Sequence, residues 1–375
     1  MNKLGAFIEG VSRKNKEEKD IPVYSVSNKG FCTEYFSKNV ASLDTSSYKI
    51  VRQGEFAYNP SRINVGSVDY LRNASEALVS PLYIVFTVSE DIDKDYLLLY
   101  LKSPIVLDKI NRRAKGGVRN NLKLESLKDF EINFPSLEKQ KMIARIFDTI
   151  EEMIKSRKKL ISLYSDLRRT SFVRLFGDNL DSNRFTILEL GNVFEVTSSK
   201  RICREEMVAS GIPFFRVSDL VNKIKGDDFT AELFVSEKQY EELKAKHQTP
   251  NAGDILITSR GTLGLCYVYK NNDSFYFQDG MTTWLRNPKI KVSPQFIADQ
   301  FSTSMLKNQI DGVAFGTTVP YLSLSKIRKL RVIVPPYEIQ ERYCGISSKI
   351  EQTIETIRNQ IRKLELLRAN LQKGM

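Results

Sequence analysis

The residues with the most chemistry to offer are cations in a glycine-containing segment. Lys109 to Asn121, KINRRAKGGVRNN, sets Lys109, Arg112, Arg113, Lys115 and Arg119 around Gly116 and Gly117. Such a loop can follow a phosphate backbone closely while Arg and Asn side chains reach base edges. A solvated loop beside a helix end explains the same charges, and the run alone weighs the two evenly. A second set follows a strand-like run: Tyr58, Asn59, Ser61, Arg62 and Asn64 stand opposite Thr258, Ser259, Arg260 and Thr262, all of hydrogen-bonding type. A polar turn accounts for the Asn, Ser and Gly of this segment but not for an Arg in both copies, so Arg62 and Arg260 favour binding. Where the first copy has its basic loop, the second has Phe315, Gly316, Thr317, Thr318 and Val319, then Tyr321.

Enzyme signatures are scarce. The chain has no G-x-x-x-x-G-K-[ST] loop for nucleotide phosphates and no G-x-S-x-G elbow. The strings nearest to an amino-methyltransferase motif, Asn59-Pro60-Ser61 and Pro335-Pro336-Tyr337, do not fit it. With 1 His, His247, acid–base work would fall to carboxylates, and none stands in a recognisable constellation. Cys32, Cys203, Cys266 and Cys344 have neither disulfide-framework nor zinc-ligand spacing, so they read as small buried hydrophobes in a reduced protein without a structural metal. His247 reads as a helix-end residue, and Trp284, Phe275, Tyr276 and Phe277 as core or strand residues. The expectation is a chain that is not catalytic alone.

What must position these residues is an architecture written twice. Residues 114 to 140 lie opposite 314 to 340 without a gap: Gly116 faces Gly316, Leu122 faces Leu322, Pro135 faces Pro335, Glu138 faces Glu338 and Gln140 faces Gln340. Upstream, Arg62 and Gly66 match Arg260 and Gly264, Ile21 and Pro22 match Ile212 and Pro213, and Leu4 and Gly5 match Leu190 and Gly191. Downstream the spacing turns helical. Ile146, Ile150, Met153, Leu160, Tyr164 and Leu167 fall at three- and four-residue steps, as do Ile350, Ile354, Ile357, Ile361, Leu364 and Leu371, with Arg157 and Arg368 as polar interruptions. That is the seam of a coiled coil. Runs such as Leu82 to Val88, Phe130 to Phe134, Ile255 to Thr258 and Leu330 to Val334 read as strands, and Tyr96 to Lys109 and Pro294 to Asn308 as helices.

The fold class is therefore α+β, twice, with two long helices forming an antiparallel coiled coil and a pseudo-two-fold internal repeat. The expected domains are 1–136, a first recognition domain; 137–177, a central helix; 178–184, a linker; 185–336, a second recognition domain; and 337–375, a C-terminal helix. Of the formal net charge of +12, each globular part carries +3 and the helices and linker the remaining +6, so binding must come from local patches. With 41% hydrophobic residues the chain has material for two cores. The start MNKLGAFIEG lacks signal-peptide blocks, and no run approaches the ~18 apolar residues of a membrane span, which predicts a cytoplasmic protein without a membrane partner.

The duplicated blocks GEFAYNPSRINVGS at 54–67 and GDILITSRGTLG at 253–264, the Gly-x-x-x-x-x-Leu segments before Pro135 and Pro335, and Glu138, Gln140, Glu338 and Gln340 opening the helices resemble the specificity (S) subunits of type I restriction-modification systems. The resemblance covers nearly the whole chain. It departs from the family at the N-terminus, where little precedes Leu4. It implies two target recognition domains that each read one half of a split sequence in double-stranded DNA, with the coiled coil as a ruler. It also implies assembly with two methyltransferase subunits and with restriction subunits, which carry S-adenosylmethionine, ATP and magnesium, leaving none on this chain. Two alternatives stand beside it: a single-chain DNA-modifying enzyme with fused recognition, and a coiled-coil scaffold with no DNA role.

Overall fold

The protein, a computed structural model, is described for residues 2–33, 44–114, 121–180, 184–314 and 320–374. It divides into two compact units: Met1–Ser156 with Gln360–Met375, and Arg157–Asn359. The two long helices, α1 (Leu137–Phe176) and α2 (Tyr337–Lys373), each contribute one stretch to each unit.

The first unit is built on an antiparallel sheet of β1 (Ile8–Val11), β2 (Phe56–Tyr58), β3 (Val68–Tyr70) and β4 (Ile84–Val88), in the order β1-β4-β2-β3. Successive strand residues face opposite ways. Phe56 and Tyr58 enter one buried cluster with Ile8, Val68 and Phe86, while Ala57 and Val85 enter another with Val26 and Val51. Both faces are covered, which is why these strands read as continuous apolar runs. Helix Lys94–Leu101 is capped by Asp93, whose side chain accepts the Tyr96 amide at 2.9 Å, and helix Pro104–Ala114 follows directly. Within this unit the α1 stretch buries Ala144, Phe147, Ile150 and Ile154.

The second unit repeats the plan. Strands β5 (Glu195–Thr197), β6 (Ile255–Thr258), β7 (Cys266–Val268) and β8 (Thr282–Arg286) pair in the order β5-β8-β6-β7. Ile255 and Ile257 face a cluster containing Phe172, Phe176, Phe296 and Tyr343, and Leu256 faces one with Phe275, Phe277 and Trp284. Here α1 and α2 run antiparallel: Phe172 meets Tyr343 at 5.2 Å between ring centroids, and Arg168 Nη1 donates to Glu351 at 2.8 Å.

Three expectations need correction. Each helix expected near residues 96–109 and 294–308 is two helices, Lys94–Leu101 and Pro104–Ala114, then Pro294–Gln300 and Ser304–Ala314. Ser103 and Pro104 make the first break, since a Pro suits a first helical turn and the Ser103 hydroxyl accepts the Val106 amide. The α1 stripe differs in part: Ile150 is buried and Tyr164 half-buried, but the other four positions are not. Ile146, Met153, Leu160 and Leu167 are 42–49% exposed, while the neighbouring Phe147 and Ile154 are buried and Ile161 and Arg168 half-buried. Both stripes fit three- and four-residue steps, so periodicity alone does not choose between them. In α2, Ile350, Ile354, Ile357 and Ile361 are buried, and Leu364 and Leu371 half-buried. Finally, Cys203 is exposed and the other three cysteines are only partly buried, all four free.

Candidate nucleic-acid interface

In the first unit β2 delivers the chain into a tight turn. The Asn59 carboxamide oxygen accepts the Ser61 amide at 3.1 Å and the Ser61 hydroxyl at 2.8 Å, and the Asn59 amide donates to the Ser67 carbonyl at 3.1 Å. Ile63 is buried and anchors the turn; Gly66, at φ 81°, closes it in a conformation other residues adopt with strain. Arg62 is left exposed. Asn64 Nδ2 donates to Asn111 Oδ1 at 3.0 Å, which ties the turn to helix Pro104–Ala114. The Leu122 amide donates to the Pro60 carbonyl at 3.0 Å, so the described chain after the basic loop rejoins beside the turn.

The second unit builds the counterpart from different residues. The Leu265 amide donates to the Thr258 hydroxyl at 3.0 Å, and that hydroxyl donates to the Thr262 carbonyl. Leu322, opposite Leu122 in sequence, donates its amide to Ser259 at 3.0 Å. Gly261, at φ 69° with open space where a side chain would be, forms the tip. Arg260 is exposed, paired in an isolated bridge with half-buried Tyr321, its guanidinium 5.5 Å from the ring centroid. A stacked guanidinium keeps its donors free for a ligand.

The other expected binding residues divide. Lys109 is exposed near the end of its helix. Arg112 pairs with Asp108 at 2.6 Å, and Arg113 donates to the Ser126 carbonyl at 2.9 Å while lying 4.5 Å from the Phe130 ring centroid. Arg113 is thus committed to packing. Tyr58 is fully buried, its hydroxyl donating to Leu122 at 3.1 Å, and burial pushes its phenol up so that it stays a neutral donor. Ser259 is 1% exposed and its hydroxyl meets that of Thr283 at 2.8 Å. Tyr58 and Ser259 hold the turns from inside; they offer no surface. Lys115, Arg119, Thr317 and Thr318 lie outside the described residues.

Two features escaped the sequence reading. In sequence Gln140 and Gln340 read only as helix-opening residues, yet both are buried and fasten each globular part to its long helix. Their appearance at matching positions was the available signal. Lys14, Lys200 and Arg201 lie just beyond the first strand of each sheet, at the end from which the Arg62 and Arg260 turns emerge. A Ser followed by two basic residues in both copies, Ser12-Arg13-Lys14 and Ser199-Lys200-Arg201, marked them. Among the described residues, no group of three or more His, Cys, Asp or Glu could hold a metal ion, and no helix is long and apolar enough to cross a membrane.

Known proteins share this plan. A specificity subunit of type I restriction enzyme MjaIX from Methanocaldococcus jannaschii is 24% identical over 74% of this chain and 67% of its own length. A putative type I restriction enzyme specificity subunit from Haemophilus influenzae is 28% identical over 46% of this chain; the match spans 41% of that relative. Among solved structures, a chain from work on complex assembly and conformational transition of the type I R-M system superposes with a TM-score of 0.58 at 14% identity, covering 99% of this chain and 95% of the other. The type I restriction-modification S subunit from M. genitalium gives 0.54 at 18% identity over 99% and 94%. The family model for the type I restriction modification DNA specificity domain matches residues 8–163 and again 183–366. Matched once by each half of its internal repeat, the chain belongs to the family of type I restriction modification DNA specificity domains.

Proposed function

We propose that this chain is the sequence-reading subunit of a type I restriction-modification complex, each unit presenting one turn to half of a split target in duplex DNA. The observation that carries the reading is the pair of turns. Each leaves the same end of the same four-stranded sheet, each is pinned by the chain that rejoins at Leu122 or Leu322, and each exposes one Arg among different neighbours. Equal scaffolds with unlike tips suit an asymmetric target, because phosphate contacts fix position while base-edge contacts differ from half to half.

The chain acts as a non-catalytic scaffold in the cytoplasm, with S-adenosylmethionine, ATP and magnesium handled by two methyltransferase subunits and restriction subunits. An apolar stripe supports the scaffold role: in the first unit Met142, Ile146, Met153 and Leu367 line an open groove of about 600 Å³ rimmed by Glu138, Lys141 and Arg145. Methylome sequencing of cells carrying this chain and its methyltransferase tests the reading. A split modified sequence is expected; a contiguous one overturns it.

A further inference from the structure

The end of each sheet that carries the Arg turn also carries a second basic position, reached along a different strand. In the second unit, β5 and β6 both flank β8: Thr197 pairs with Trp284 and Thr258 with Thr282, and the Ser198 hydroxyl donates to the Thr282 carbonyl at 3.4 Å. The strands that lead into Lys200 and into the Ser259–Arg260 turn are therefore two strand spacings, roughly 10 Å, apart. In the first unit, β1 and β2 both flank β4, with Val11 paired to Val85 and Tyr58 to Ile84. Arg13 and Lys14 thus follow β1 at the end of the sheet from which the Arg62 turn follows β2.

The backbone at these positions is fixed although the side chains are in solvent. Tyr276 is fully buried, accepts the Lys200 amide at 2.9 Å and donates to the Lys200 carbonyl at 3.1 Å. Burial pushes its phenol up to about 12, so it remains protonated and able to do both. Ser199 adds a hydrogen bond to the Phe277 carbonyl at 2.8 Å. In the first unit the Ile50 amide donates to the Arg13 carbonyl at 2.8 Å, and Lys14 forms a bridge with Lys49.

Carboxylates do not account for the exposed cations. Arg13 is bound to Glu55 and is set aside. Lys14, Lys200 and Arg201 are exposed, and none is among the ion pairs of the described residues. Of the acids nearby, Glu206 accepts from the Cys203 amide and from Gln239, and Asp279 lies towards Tyr276. Lys14 faces a like charge instead. Lys49 donates to the Tyr83 carbonyl at 2.6 Å, and its ammonium is held below its ordinary pKa by burial and by Lys14. Cations held together on a fixed backbone without counter-charge favour an external anion.

Resting on the DNA reading above, we infer that Lys14 in the first unit and Lys200 with Arg201 in the second bind duplex phosphates, positioning the Arg62 and Arg260 turns over the bases. The test uses the full chain with its methyltransferase, Lys14→Gln and the pair Lys200→Gln and Arg201→Gln. The control is Lys238→Gln, on the exposed side of helix Glu237–Ala245. The probes are a duplex carrying the modified sequence and a duplex of random sequence. Each cation removed is expected to lower the slope of log affinity against log salt by about 1, and affinity near 0.1 M salt by roughly tenfold on both duplexes. The modified sequence and the control stay unchanged. An unaltered slope, or a loss confined to the target duplex with relaxed sequence choice, overturns the inference and leaves the DNA reading standing. If the unaltered complex distinguishes no sequence, the DNA reading falls and this inference with it.

Discussion

In the first copy, Gln140 accepts the Asp93 amide at 2.9 Å and donates to the Pro135 carbonyl at 2.9 Å; in the second, Gln340 does the same for Ser293 at 2.9 Å and Pro335 at 2.8 Å. Around this shared fastening the copies diverge. The first packs Tyr96 and Tyr100 edge-on against Phe134, at 5.6 and 5.1 Å, and buries Phe147 on the long helix. At the position of Leu99 the second has Asp299, 4% exposed, which accepts from Tyr343 and Ser347 at 2.7 Å each and from Gln295 at 2.7 Å, with Arg168 3.8 Å away. One joint is apolar and the other a hydrogen-bonded carboxylate, yet both serve the same geometry. A family fold specifies where a helix must be held and leaves the chemistry of holding free, provided every buried polar group is satisfied.

The largest expected effect comes from breaking that carboxylate network on one side only. Asp299→Ala strands two buried hydroxyls and unpairs the half-buried Gln295 amide, and should cost about 3 kcal/mol, read by urea denaturation of the full chain. Adding Tyr343→Phe and Ser347→Ala removes the stranded hydroxyls and should recover much of the loss. A single mutant within ~0.5 kcal/mol of the parent, the scatter of ordinary surface changes, would show that the carboxylate holds nothing.

The shared glutamines sharpen the comparison from the other side. Gln140→Ala and Gln340→Ala each leave a buried amide and a carbonyl without a partner, about 2 kcal/mol apiece. The two losses should agree, since the contacts do; a marked difference would mean the copies are fastened elsewhere. Both glutamines stood in plain view in the sequence, as did the Ile255–Thr258 strand and the repeat itself, because local pattern and duplication specify them. What was hidden depends on contacts far along the chain. Tyr58 has the composition of a binding residue and becomes a core residue through Leu122; Arg113 reads as a phosphate ligand and stacks on Phe130. The buried stripe of α1 is ambiguous in sequence because its apolar residues fill two adjacent stripes, and packing rather than periodicity decides which is covered.

A smaller effect concerns the ion pairs that the repeat duplicates. Arg168 with Glu351 in the second unit and Arg368 with Glu151 in the first are the same pair with the roles of the helices exchanged. Exposed pairs contribute about 0.2–1 kcal/mol. Arg168–Glu351 should lie at the upper end in a double-mutant cycle, because Asp299 adds to it and its side chains are 26% and 39% exposed against 37% and 55% for the other pair. Equal coupling energies would mean that the carboxylate network does not reach the helices.

The smallest effect is in pH. Glu55 and Asp254 occupy matching places before the strands that deliver the turns, each accepting the amide three residues earlier, from Arg52 and Asn251, at 2.8 Å. Glu55 also binds Arg13, whereas Asp254 takes the Trp284 indole N–H at 2.9 Å in a dry setting. Burial raises the Asp254 carboxyl above its ordinary value, offset in part by the Asn251 and Trp284 donors. A raised folded pKa means the folded protein takes up its proton at a higher pH than the unfolded chain does. This group's contribution to stability is therefore fully present below the ordinary carboxylate range, and it is lost as pH rises through the folded value. Asp254→Asn keeps an acceptor for both donors and removes the titration. Comparing parent and variant by denaturation between about pH 4 and pH 7 should show the parent losing stability relative to the variant as pH rises. Parallel profiles would mean that burial of the Asp254 carboxyl carries no pH-dependent stability.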